Sequence, residues 1–118
     1  MNKEFVPYEL ADKLKNLGFD ETCFGYWNID PYLPNPTFNL VKPFDHEWCI
    51  PAPLYQQAFR WFREKYELVG VPTHQSYDIW NTITGECFIE IYPLNSYEEA
   101  ELACLTKLIE IVEQQNQK

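Results

Sequence analysis

The sequence predicts an α+β fold in two layers, with three helices packed on one antiparallel sheet of about four strands. Two observations carry that reading. Apolar residues recur at helical spacing in three separate stretches, and between them lie short runs rich in aromatic and β-branched residues, bounded by proline and glycine. Their order is helix, two strands, helix, two strands, helix, so the expected topology is α-β-β-α-β-β-α. At 118 residues the chain has room for one core, and a single domain over 1–118 is expected, with a tail that frays from about residue 114.

Pro7 to Leu17 is the first expected helix. Pro7 suits the first helical position, Glu9 pairs with Lys13 at i,i+4, and Leu10, Leu14 and Leu17 form an apolar stripe. Gly18 supplies a left-handed terminating residue, and Phe19 is placed to pack back on the helix. Glu21 to Asn28 has strand composition. Asp30 to Pro36 is too dense in proline for a regular element and reads as a loop. Thr37 to Val41 is expected to return beside the first strand.

The second helix is expected from near Pro53 to Tyr66. Tyr55, Phe59, Phe62 and Tyr66 share one stripe, Leu54, Ala58 and Trp61 the adjoining one, and Gly70 with Pro72 should end it. Gln75 to Asn81 and Glu86 to Tyr92 flank a Thr84-Gly85 turn and read as a hairpin. In the second of these, Cys87, Ile89 and Ile91 alternate with Phe88, Glu90 and Tyr92, so one face is apolar and expected to be buried, the other mixed. The last helix opens on a capping box, Ser96 with Glu99. Tyr97, Ala100, Cys104, Leu108 and Ile111 are expected on its buried face, broadened by Leu105, Ile109 and Val112.

Charge and cysteine usage narrow the function classes. The net charge of −9 at pH 7 argues against direct nucleic-acid binding, which basic residues drive. Residues 81–118 hold −5 of that charge, so a solvated face on the last helix is its simplest account, and an acidic mimic of nucleic acid is a third-ranked reading. No apolar run approaches the roughly 20 residues that span a bilayer, and the charged N-terminus lacks the apolar segment of a signal peptide. A cytoplasmic protein with no membrane partner is therefore expected. Cys23, Cys49, Cys87 and Cys104 match no CxxC spacing and are expected to be reduced. With no GxGxxG, P-loop or G-x-S-x-G motif, no catalytic residue, metal or cofactor is assigned.

The densest concentration of rings lies between Phe38 and Tyr66. Within it, the proline-stiffened stretch Pro43–Tyr55 is read as a loop that binds another macromolecule, a protein, through Phe44, His46, Trp48 and Tyr55. Histidine and cysteine three residues apart, His46 and Cys49, leave a second reading open: a small thiol or zinc enzyme, with His74 and Cys23 or Cys87 as further ligands. Arg60, Arg63 and Lys65 beside Trp61 could stack a nucleotide, but Glu64 and Glu67 balance them and favour a salt-bridged solvent face.

PYELADKLKNLGFDE, FNLVKPFDHEWCIPAPLYQQAFRWFREKY and SYEEAELACLTKLIEIV together resemble a group of short uncharacterised proteins from gut Bacteroides-type bacteria and their phages or mobile elements. The blocks cover more than half of the chain. That group brings no activity, cofactor or catalytic residue with it; the resemblance implies a small intracellular accessory protein borne on a mobile element.

Overall fold

The structure is a computed structural model that describes residues 4–29, 32, 35–40, 49–73, 76–90 and 96–116, with the side chains of 88–90 excepted. The described chain is α+β. Helices α1 (Tyr8–Asn16), α2 (Tyr55–Tyr66) and α3 (Tyr97–Asn116) alternate with strands β1 (Gly25–Asn28), β2 (Thr37–Asn39), β3 (Cys49–Ala52), β4 (Leu68–Pro72), β5 (Tyr77–Asn81) and β6 (Cys87–Glu90). The expected series of helices and strand pairs is present in its expected order, and β3 and β4 are additional. All pairing is antiparallel, in two sheets of order β2-β1-β3 and β4-β5-β6. One sheet of four was expected. Each predicted strand pair instead gains a third strand from its own neighbourhood in sequence, so β1 and β5 fill both of their edges locally. By its contacts the chain divides into two compact units, Met1–Leu54 and Tyr55–Lys118.

In the first unit, α1 is held at both ends by backbone chemistry. Pro7 is the N-cap rather than the first helical residue; its extended backbone (ψ 159°) precedes the helix, and its carbonyl accepts the Ala11 N–H at 2.8 Å. At the other end Gly18 turns left-handed (φ 103°), the Gly18 N–H donates to Lys15 O and the Phe19 N–H to Leu14 O, both at 3.0 Å. That pair of bonds is a Schellman motif, and the buried Phe19 and Leu14 supply its apolar contact. Before α1, Val6 N–H donates to Pro53 O at 2.8 Å, and Phe5 bridges Leu54. Trp27 Nε1 donates to Val6 O at 2.9 Å, while its ring meets Tyr8 and Phe38 edge-on. Phe5 and Phe38 cross the backbone of Gly25, where a Cβ would lie 2.6 Å from the Phe38 ring. The strand β1 can run beneath those rings only because residue 25 has no side chain.

β3 falls inside the stretch expected to be a loop. Pro51 disguises it in sequence, yet β3 lies at the edge of its sheet, where a missing N–H is tolerated. The same reasoning explains β4. Gly70 and Pro72 do not terminate α2, which stops at Tyr66 with Glu67 in the left-handed region (φ 58°); they lie within edge strand β4.

The second unit stacks α2 and α3 on one face of its sheet, with both helices packed on β4 and α3 also on β5. Phe59, Phe62, Leu68, Ile79, Cys104, Leu105, Leu108 and Val112 are buried. Ser96 Oγ accepts the Glu99 N–H at 3.2 Å, so α3 starts at the expected cap. Its expected apolar face is buried except for Tyr97, which is exposed in the first turn. The β5–β6 connection is also as expected: Asn81 Oδ1 accepts the N–H groups of Ile83 and Thr84, and Gly85 (φ 77°) closes the turn.

Candidate functional site

The expected binding residues Phe44, His46 and Trp48 lie outside the described residues, as do His74 and most of the Asp30–Pro36 stretch. Tyr55 is described, and its place is the core of the second unit. It opens α2 with 6% of its surface accessible and its ring tilted on Phe59 at 6.2 Å. Burial, and secondarily the Glu101 carboxylate, push its phenol up to about 12. The ring area that singled out this helix in sequence is packing material: Trp61, Phe62 and Tyr66 form one ring cluster, with centroids 5.1–6.0 Å apart. Lys65 caps it, Nζ 5.1 Å from the Trp61 centroid. With Trp61 buried and Arg60 beside Glu64 at 4.0 Å, the basic cluster forms a charged solvent face and not a stacking platform.

None of the four cysteines forms a disulfide. Cys104 is buried as expected, and burial together with the Asp78 carboxylate pushes its thiol up to about 12. Cys87 differs from expectation. It pairs with Trp80 and is half-buried, so it belongs to the sheet face turned away from the helices, where burial and then Asp78 raise its thiol.

A hollow in the first unit and a sheet face in the second could engage another molecule. The hollow, of about 530 Å³, is bounded by Lys15, Phe19, Asp20, Tyr26, Cys49 and Pro51. It exists because the Schellman turn after α1 ends opposite the β1–β3 ladder, in which Tyr26 faces Pro51 and Asn28 faces Cys49. Cys49 is 7% accessible in that wall. Among the described residues no cluster of three metal-binding side chains occurs.

The second feature is the outer face of the β4-β5-β6 sheet. Gly70, Leu68, Tyr77 and Ile79 face the helices; the intervening residues Val69, Val71, Asp78 and Trp80 therefore point the opposite way. Register sets Val69 beside Trp80 and Trp80 beside Cys87, and sets Val71 beside Asp78. Val71 is 43% and Trp80 45% accessible, and Ile83 in the adjoining turn is 77% accessible. Sequence reasoning missed this surface because it read the hairpin's apolar alternation as a buried face. The signal available was Trp80, a large ring out of phase with Tyr77 and Ile79. Compared with known proteins, the chain matches no family model, no curated protein and no solved structure.

Proposed function

We propose that this chain is a small accessory protein of the cytoplasm that works as a protein-binding module, with the outer face of the β4-β5-β6 sheet as a contact surface. The observation that carries the reading is the position of Trp80. A half-exposed indole near the end of β5, with Val69, Val71 and Cys87 on the same face and Ile83 in the adjoining turn, makes an apolar patch that only Asp78 interrupts. Tryptophan is enriched at the energetic centres of interfaces, and a pleated sheet presents it with little conformational freedom left to lose. Pro43–Trp48 adjoins β3 in sequence, and Phe44, His46 and Trp48 are kept as further contact residues on composition alone.

The test is affinity capture from the native host with wild type, Trp80→Ser and Val71→Lys. Both variants should keep the wild-type urea midpoint to within the roughly 0.5 kcal/mol typical of surface sites and should lose the captured protein. Capture unchanged in both variants sinks the assignment of this face.

A thiol-based reading also has an observation in its favour, since Cys49 lines a hollow with Lys15 and Tyr26 at its rim. Alkylation rates separate the two. A working nucleophile requires Cys49 to react ahead of Cys87 although it is the less accessible; the binding reading requires Cys87 to react first.

A further inference from the structure

The exposed side of α3 carries a hollow of about 570 Å³ that Tyr77 closes on one flank and the helix lines with Glu99, Leu102, Ala103, Lys107 and Glu110. We propose that this face binds the same face of a second copy of the chain, with the two α3 helices antiparallel about a two-fold axis at Ala103.

The charge pattern selects that occupant. Glu99 lies four residues before Ala103 and Lys107 four residues after it. An antiparallel pair centred on Ala103 therefore sets Glu99 of each copy against Lys107 of the other, two equivalent ion pairs about 12 Å apart along the axis. Glu110 lies seven residues after Ala103 and the N-cap Ser96 seven before it. The same pairing brings Glu110 of each copy beside the first turn of the opposite helix, where the favourable helix dipole is offset by Glu98 and Glu99. Ala103, half-buried and small, stands at the axis and permits the roughly 8–10 Å approach of packed helices. Leu102, 41% accessible, gives apolar contact beside it. A uniformly basic partner would face Lys107 with like charge, and an acidic one would face Glu99 and Glu110. Glu99 and Lys107, equally spaced about Ala103, make the face complementary to itself at those two positions.

Contact along a few helical turns falls below the standard interface size of roughly 1,600 Å², so the dimer belongs to the weak, reversible class. Sedimentation equilibrium of the full chain at about 0.15 M salt reads it directly. Wild type should self-associate with a dissociation constant in roughly the micromolar-to-millimolar range, and Glu99→Lys and Lys107→Glu should each weaken association at least about tenfold. Glu99→Lys with Lys107→Glu in one chain should restore it, because the swapped charges meet again across the axis. Glu99→Lys also lowers the net negative charge, so generic repulsion predicts tighter association where the pairing predicts weaker. Ala103→Arg should abolish the dimer and carries the test if Glu99→Lys lowers the helix content. A monomer at every concentration, a tighter Glu99→Lys dimer, or a double variant no better than the singles overturns the proposal.

Discussion

At Gly70 a missing methyl group decides how closely two helices can approach a sheet. A Cβ there would lie 2.9 Å from Cys104 Sγ and 3.0 Å from Leu108 Cδ1, with Phe59 at 3.4 Å. The two nearest neighbours are fully buried and belong to the same helix, so they cannot move apart without shifting α3. Gly70→Ala should therefore destabilise by about 1–3 kcal/mol, the usual range for an overpacked core. Gly85 offers the comparison. Its backbone is left-handed at φ 77° and nothing lies within 4 Å of its Cβ direction, so Gly85→Ala carries only the conformational cost of about 1–2 kcal/mol for a side chain in that region. Urea midpoints of the two variants, together with the double variant Gly70→Ala with Cys104→Ala, separate crowding from conformation. Cys104→Ala should relieve the Gly70→Ala loss in part, and a double variant that merely adds the two losses would place the crowding elsewhere.

The helices are where sequence and structure agree best. A helix writes its boundaries and its buried face into a few residues: Gly18 and Phe19 end α1, Ser96 begins α3, and Ala100, Cys104, Leu105, Leu108 and Ile111 record its packed side. Leu108→Ala should cost about 2–5 kcal/mol as a buried truncation, and Ser96→Ala roughly 0.5–2 kcal/mol through loss of the bond to Glu99 N–H. Thermal or urea unfolding that leaves Leu108→Ala at wild-type stability would contradict the phasing of α3. Strands β3 and β4 were illegible for a reason that lies in their position. Pro51, Gly70 and Pro72 are residues that normally punctuate elements, and an edge strand accepts them because its outer backbone groups have no ladder partner to lose. Sequence-local signals cannot tell an edge strand with proline from a loop; only the neighbouring strand supplies the distinction. The same limit hid the division into two sheets, since β3 and β4 are the strands that complete them.

Across the whole molecule, the rings of the sequence divide between core and surface in a way composition does not announce. The stretch richest in aromatics holds α2, whose Tyr55, Phe59, Trp61 and Phe62 are buried, whereas the exposed Trp80 sits in an unremarkable strand. Side-chain direction, fixed by register with β4 and β6, separates the two cases. Burial of ionisable groups also sets how the protein responds to pH. Tyr55 and Cys104 are both pushed up to about 12, mainly by removal from water, and Glu101 is raised for the same cause with Glu98 adding to it. In each case the folded chain holds a proton that the unfolded chain releases sooner. The unfolded state therefore binds fewer protons between the ordinary and the raised values, and stability falls as pH rises. For Cys104 and Tyr55 the window runs from the ordinary thiol and phenol range near pH 9–10 to about 12, with a loss on the order of 4 kcal/mol for Cys104 and 3 kcal/mol for Tyr55. The urea midpoint should be higher at pH 8 than at pH 11. Tyr55→Phe should flatten that decline, because a phenyl ring fills the same space and has no proton to lose. A Tyr55→Phe profile as steep as wild type, in a variant that also lacks the Cys104 thiol, would mean that neither buried group governs the alkaline limb.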